Sequence, residues 1–291
     1  MQENTRNTIF LEDAEILAQQ AFEQEQYVLR VKAPKCAASA QPGQFAHIQC
    51  DPQRLMRRPL SIMRACASEG WVEFLYKAVG AGTELLAKRA VGETINVMGP
   101  IGRPFELNTN KPRALLLGGG VGIPPMICLS EYIKDNQTEI TPVVFMGSEV
   151  PFPFQRKASA LALDGIEASV SDGLPLLEEW GIPSRLASLQ NYDGVYQGYI
   201  TDLARDWLNA LSEAQRQQVE IYSCGPTPML KAVAALAKEF NISCQVSLEE
   251  YMACAVGGCA GCVVKVKTKE GEAMKRVCVD GPVFEASTVF A

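Results

Sequence analysis

Cys254, Cys259, Cys262 and Cys278 fall within the last forty residues of a 291-residue chain, with four, two and fifteen residues between successive members. Three thiols this close come from one tight loop, while the fourth arrives from further along the fold. The backbone must therefore bend around a common centre. Gly257, Gly258 and Gly261 suit that demand, because glycine tolerates unusual dihedrals and lets amides turn toward sulfur. The other six cysteines, Cys36, Cys50, Cys66, Cys128, Cys224 and Cys244, are scattered. In a reducing compartment such residues are ligands or buried thiols more often than disulfides.

The spacing C-x4-C-x2-C with a distant fourth cysteine is the plant-type pattern that holds a [2Fe-2S] cluster. A structural zinc site is the alternative, although zinc modules more often use paired C-x2-C knuckles. Four unrelated buried thiols form a third, weaker reading.

The chain has 47% hydrophobic and 21% charged residues, the balance of a folded globular protein with a sizeable core. A net charge of −6 and a pI near 5.1, with no basic stripe, exclude an ordinary nucleic-acid binder. Met1–Phe10 lacks the apolar core of a secretory leader. No stretch approaches the roughly 18 uninterrupted apolar residues of a membrane span, so a cytoplasmic protein is expected.

Length divides the chain into about two or three units. Residues 1–110 contain short strand-like runs, at 27–31, 44–48, 71–76 and 94–97, separated by Pro42-Gly43 and Gly99-Pro100. They predict a small antiparallel barrel. Over 111–245, apolar runs at 114–117, 142–146 and 219–223 alternate with helical stretches at 125–134 and 228–240, predicting a parallel sheet covered by helices. Residues 174–196 have helical composition. A third unit, 246–291, holds the cysteine loop, an alternating run at 262–268 and a turn at Glu270-Gly271.

Arg58-Pro59-Leu60-Ser61 can offer a guanidinium and a hydroxyl to a phosphate or flavin edge, and Gly80-Ala81-Gly82-Thr83 can let amides approach a pyrophosphate. Taken alone, a surface arginine and an ordinary turn are the better explanation of both. Leu117-Gly118-Gly119-Gly120-Val121-Gly122 ends an apolar strand and opens a helix, where an open α/β sheet places dinucleotide phosphates, although a tight structural turn is the alternative. Cys224-Gly225-Pro226 closes a later strand at the same edge, with an inert buried thiol as the plain reading of Cys224. The lone His47 lies among apolar residues and reads as a packed side chain, not a catalyst.

In this order the motifs resemble the ferredoxin-NADP reductase superfamily over nearly the whole chain. The run Leu248–Cys254, Cys262–Lys265 and Arg276–Phe284 looks specifically like the electron-transfer subunits of class 1B dihydroorotate dehydrogenases. That resemblance implies a multidomain β plus α/β fold: an antiparallel flavin-binding β-barrel, a Rossmann-like nucleotide domain and a small C-terminal [2Fe-2S] domain. It implies FAD against Arg58–Ser61, Leu75, Tyr76, Lys77, Gly82 and Thr83, and NAD at Gly118, Gly119, Gly120, Gly122, Cys224, Gly225 and Pro226. Cys254, Cys259, Cys262 and Cys278 would be the metal ligands. The implied partner is an FMN-containing catalytic subunit that interconverts dihydroorotate and orotate in pyrimidine biosynthesis, in a heterotetramer. No residue of this chain is then the acid or base acting on dihydroorotate.

Two departures from the family pattern stand out. Ala255 occupies a position where such loops usually carry glycine, and the chain between Asp172-Gly173 and Gly198 is about twenty residues longer than ordinary connections require. The rival readings are a reductase serving another acceptor and a zinc-stabilised, non-catalytic binding module. NAD and NADP are not distinguished by these motifs.

Overall fold

The computed structural model describes residues 8–136 and 139–290; Met1–Asn7, part of the segment read for a leader, lie outside the described residues. Two compact units result. One comprises the chain up to Phe105 together with Leu248–Val283; the other comprises Glu106–Ser247 and the residues from Phe284 onward.

In the first unit, β1 (Phe10–Phe22), β2 (Gln26–Lys32), β3 (Phe45–Gln49), β4 (Arg58–Cys66), β5 (Trp71–Lys77) and β6 (Thr94–Ile101) close into a barrel in the order β1-β2-β5-β4-β3-β6. Every pairing is antiparallel. The predicted barrel is present, and all four expected strand segments fall on strands. Ile16, Leu29, Ile48, Ile62, Phe74 and Ile101 are fully buried in its core. Burying side chains of this size contributes about 1.5–3 kcal/mol each.

β1 carries no strand signal of its own. Its sequence, FLEDAEILAQQAF, is rich in helix formers and leaves Leu11 exposed. It is extended because it pairs with both β2 and β6 and so closes the barrel, and tertiary pairing overrides propensity. Arg58–Ser61 is likewise part of β4 itself. The Gly80–Thr83 turn opens a short helix, Ala81–Ala87, whose Thr83 hydroxyl accepts from the amides of Val79 and Gly80 at 3.2 and 3.3 Å.

The second unit is built on seven strands: β7 (Arg113–Gly119), β8 (Thr141–Gly147), β11 (Ser184–Ser188), β12 (Tyr196–Gln197), β13 (Val219–Cys224), β14 (Ser243–Ser247) and β17 (Val283–Glu285), in the order β12-β11-β8-β7-β13-β14-β17. A two-stranded pair, β9 (Lys157–Ala158) and β10 (Asp172–Gly173), lies outside that sheet. The ladders from β12 to β14 are parallel. Helices Ile123–Asn136, Ile200–Ala210 and Thr227–Glu239 pack on it, with the Phe145 and Trp207 rings edge to face at 6.3 Å.

Residues 174–196 correct the helical expectation. Only Pro175–Glu179 is helical, and the stretch then supplies β11, fully buried and paired with β8. The extra length is therefore spent partly on a strand inside the sheet. Its alternation is hidden because a strand covered on both faces shows none.

Within the first unit, β15 (Val263–Thr268) and β16 (Gly271–Arg276) form the hairpin expected after the cysteine loop, turning where Thr268 Oγ1 donates to the Gly271 carbonyl at 2.8 Å. Among the described residues no helix is long and apolar enough to cross a membrane.

Candidate functional site

The four cysteines meet as two pairs. The sulfurs of Cys262 and Cys278 are 3.3 Å apart, and the Cys259 thiol is a hydrogen-bonding neighbour of Cys254. Cys262 and Cys278 are buried, Cys254 is half-buried and Cys259 is exposed. Burial opposes ionisation of Cys254, but amides of Val256, Cys259 and Gly258, with the Cys259 side chain, outweigh it and lower the thiol to about 7. Burial, then the hydrogen bond and charge of Cys262, push Cys278 up to about 12. The loop thus already aims amides at sulfur, as a thiolate-bound cluster needs.

This arrangement fits a two-iron centre. With four cysteine ligands each iron takes two thiolates, whereas one tetrahedral zinc with Zn–S of about 2.3 Å draws all four to one point. Arg276 fastens the loop, with Nη1 donating to the Gly257 carbonyl at 3.1 Å and its own amide donating to Asp280 at 2.8 Å. Ala255 adopts φ 55 where glycine is the usual occupant. A left-handed alanine costs about 1–2 kcal/mol, which the surrounding packing must offset.

In the barrel, Arg58, Pro59, Leu60 and Ser61 are four consecutive half-buried positions. Arg58 Nη1 donates to the carbonyls of Met56 and Arg57 at 3.0 and 3.1 Å, and its guanidinium lies against Gly82. Of the residues expected at the flavin, Arg58 and Gly82 are thus brought together. Leu75 and Tyr76 are buried. The Tyr76 ring stacks on Tyr27 at 5.3 Å and its hydroxyl donates to Gln19 at 3.2 Å, which leaves the strand's backbone and half-buried Lys77 to meet a ligand.

In the sheet, β7 leads to β8 on one side while β13 pairs on the other, so the chain order reverses between β7 and β13. Such a switch point is where open α/β sheets bind ligands. The two predicted loops lie there: Gly118 is paired with Cys224, and Ser223 Oγ donates to the Leu117 carbonyl at 2.9 Å. Gly122 packs so tightly that a Cβ would stand 2.4 Å from the Cys224 carbonyl carbon and oxygen, and one at Gly119 would stand 2.3 Å from Met229 Sδ. Cys224 is fully buried, while Pro226 begins the exposed rim.

Sequence reasoning passed over Arg57, whose Nη1 donates to the carbonyls of His47 and Asn96 at 3.0 and 3.2 Å. Its only signal was its place beside Arg58.

A profile of the iron-sulfur cluster binding domain of dihydroorotate dehydrogenase B matches residues 249–290. Along nearly its full length the chain is similar to the dihydroorotate dehydrogenase B (NAD(+)) electron transfer subunit of Shouchella clausii, 32% identical with 94% of this chain and 96% of that one covered. It belongs to the family of dihydroorotate dehydrogenase B electron-transfer subunits. The Listeria innocua member of this family is 34% identical over 88% of the chain and 89% of its own length. Among solved structures, the NADH-dependent reduced ferredoxin-NADP oxidoreductase studied for flavin-based electron bifurcation superposes with a TM-score of 0.76 at 25% identity, covering 96% of this chain and 90% of that one. The ferredoxin reductase of carbazole 1,9a-dioxygenase, 21% identical with a TM-score of 0.59 over 80% of this chain and 65% of its own, shares the fold. The resemblance read from the motifs thus holds for family and fold, and the family's role is electron transfer.

Proposed function

We propose that this chain passes electrons between the FMN of a dihydroorotate dehydrogenase catalytic subunit and NAD, through a [2Fe-2S] cluster and FAD, in a heterotetramer serving pyrimidine biosynthesis. The observation that carries this reading is the two-pair arrangement of Cys254 with Cys259 and Cys262 with Cys278, in the same compact unit as Arg58–Ser61. Functionally the chain then has three parts: 1–110 for FAD, 111–245 for NAD and 246–291 for the cluster.

When bound, the flavin supplies the exchange between two-electron hydride chemistry and the single electrons a cluster accepts. The chain's own groups bind and orient. Arg58 offers a guanidinium to a phosphate, Ser61 offers a hydroxyl, and Gly82 keeps the space beneath Arg58 free of side chain. Backbone of Gly118–Gly122 and of Cys224–Pro226 lines the nucleotide crevice, where any Cβ at Gly122 would close it. Amides of Val256, Gly258 and Cys259 stabilise thiolate charge at Cys254. No side chain here acts as acid or base on dihydroorotate, which falls to the partner.

The chain co-expressed with a dihydroorotate dehydrogenase catalytic subunit and purified without oxygen is expected to hold flavin, two irons and two sulfides, with orotate reduced at the expense of NADH. A pure, folded complex without iron or flavin would refute the proposal. The TM-score of 0.76 to the NADH-dependent ferredoxin-NADP oxidoreductase supports a second reading, service to another acceptor with the same cofactors. The protein recovered with the chain from its native host separates the two.

A further inference from the structure

Arg57 stands immediately before β4, one residue ahead of the expected flavin positions, and the reading above gives it no task. Residues 52–56, which precede it, are exposed, so the incoming loop offers β4 no anchor of its own. The half-buried Arg57 side chain reaches across the barrel strands instead. Its Nη1 donates to the carbonyls of His47 in β3 and Asn96 in β6 at 3.0 and 3.2 Å, and its Nη2 donates to Asn96 Oδ1. Asn96 in turn donates through Nδ2 to Asp13 of β1 at 2.7 Å. One guanidinium thus gathers β3 and β6, and through Asn96 also β1, around the first residue of β4.

The head of β4 depends on such an anchor. Arg58–Ser61 pair with β3, from Ile48 back to Phe45, whereas pairing with β5 begins only at Ile62 opposite Phe74. Pro59 has no N–H to add to that single ladder. The other side of these four residues is left open to a ligand. Arg58 depends on the same stretch, because its Nη1 donates to the carbonyls of Met56 and Arg57 at 3.0 and 3.1 Å. The residue whose side chain is anchored to β3 and β6 therefore also offers the carbonyl that receives the Arg58 guanidinium beside Gly82.

We propose that Arg57 is a positioning residue for the flavin: it pins the head of β4 to β3 and β6 and so gathers the Arg58 guanidinium at the site of the flavin phosphates. This rests on the function proposed above, which puts flavin at Arg58–Ser61. A guanidinium already gathered against its carbonyls loses less freedom when it meets a phosphate, so affinity is gained by preorganisation. The Arg57 donors are engaged by main chain and by Asn96, so the residue acts through Arg58 and not on the flavin itself.

The test is fluorescence titration of the full chain, depleted of flavin, with FAD. Wild type, Arg57→Ala, Arg58→Ala and the double variant are compared after thermal unfolding has shown each to be folded. Arg57→Ala is expected to weaken FAD about five- to tenfold, and the double variant to bind within about twofold of Arg58→Ala alone, because the two residues act as one unit. A brace that merely stabilised the barrel would give losses that multiply. Arg57→Lys keeps a cationic donor for one carbonyl and should recover part of the loss, binding within about threefold of wild type. If Arg57→Ala does not fold, Asn96→Ala, alone and combined with Arg58→Ala, decides in its place. Wild-type FAD affinity in the deciding single variant, or multiplying losses in its double, would overturn the proposal. A folded wild-type chain that takes up no FAD would instead defeat the underlying function, and that result is visible before any variant is made.

Discussion

The Arg58 guanidinium rests on Gly82: a Cβ at position 82 would lie 3.0 Å from its Cζ, Nε and Nη2. The contact is tight but the arginine is flexible, so Gly82→Ala should displace the guanidinium without unfolding the barrel. Flavin affinity is expected to fall about three- to tenfold, and in Arg58→Ala about tenfold or more, since a charge-assisted contact is lost. Titration of flavin-depleted protein by fluorescence reads this out. Unchanged affinity in Arg58→Ala would remove Arg58–Ser61 from the flavin site.

At Gly122 the obstacle is main chain. A Cβ would meet the Cys224 carbonyl at 2.4 Å and the Gly225 nitrogen at 2.5 Å, and neither can rotate away. Gly122→Ala should cost about 2 kcal/mol or more in stability, as overpacking does, and raise the KM for NADH. Gly120, with open space around it and φ +55, should cost only about 1 kcal/mol as alanine, from backbone strain. Thermal unfolding of the two variants side by side checks the order; an equal loss would contradict the packing.

Much of this was legible from residue spacing. The cysteine loop, the Gly118–Gly122 turn and Arg58–Ser61 are local patterns, and local patterns survive in sequence. What escaped depends on partners distant along the chain. β1 is extended only because the barrel needs a closing strand, and β11 shows no alternation because both its faces are covered. Gly122 must be glycine because of a peptide a hundred residues later. His47 was read as packed, and it is: the side chain is fully buried in the barrel.

Replacing either member of the buried pair, Cys262→Ser or Cys278→Ser, should strip most iron and sulfide from the chain. Flavin reduction by NADH should stay within about twofold of wild type, because the one-electron and hydride stations are separate. Iron analysis with NADH–ferricyanide turnover measures both. About one zinc per chain, in place of two irons, would favour the zinc-stabilised module.

His47 also sets a pH dependence of stability. Burial first, then the charges of Arg57 and Arg58, lower it from 6.5 to about 4, against smaller opposing contributions from the carbonyls of Arg57 and Met252. The unfolded chain therefore binds a proton at higher pH than the folded one. The contribution is fully present above the unfolded pKa of 6.5 and is lost as pH falls toward 4. Between pH 6.5 and about pH 5 the loss amounts to about 2 kcal/mol at 1.36 kcal/mol per unit. Urea unfolding of wild type and His47→Leu at both pH values isolates this from carboxylates common to the two proteins. Wild type should lose about 2 kcal/mol more than the variant across that interval. Parallel losses would mean that the folded imidazole titrates near its ordinary value and is therefore not held neutral by its surroundings.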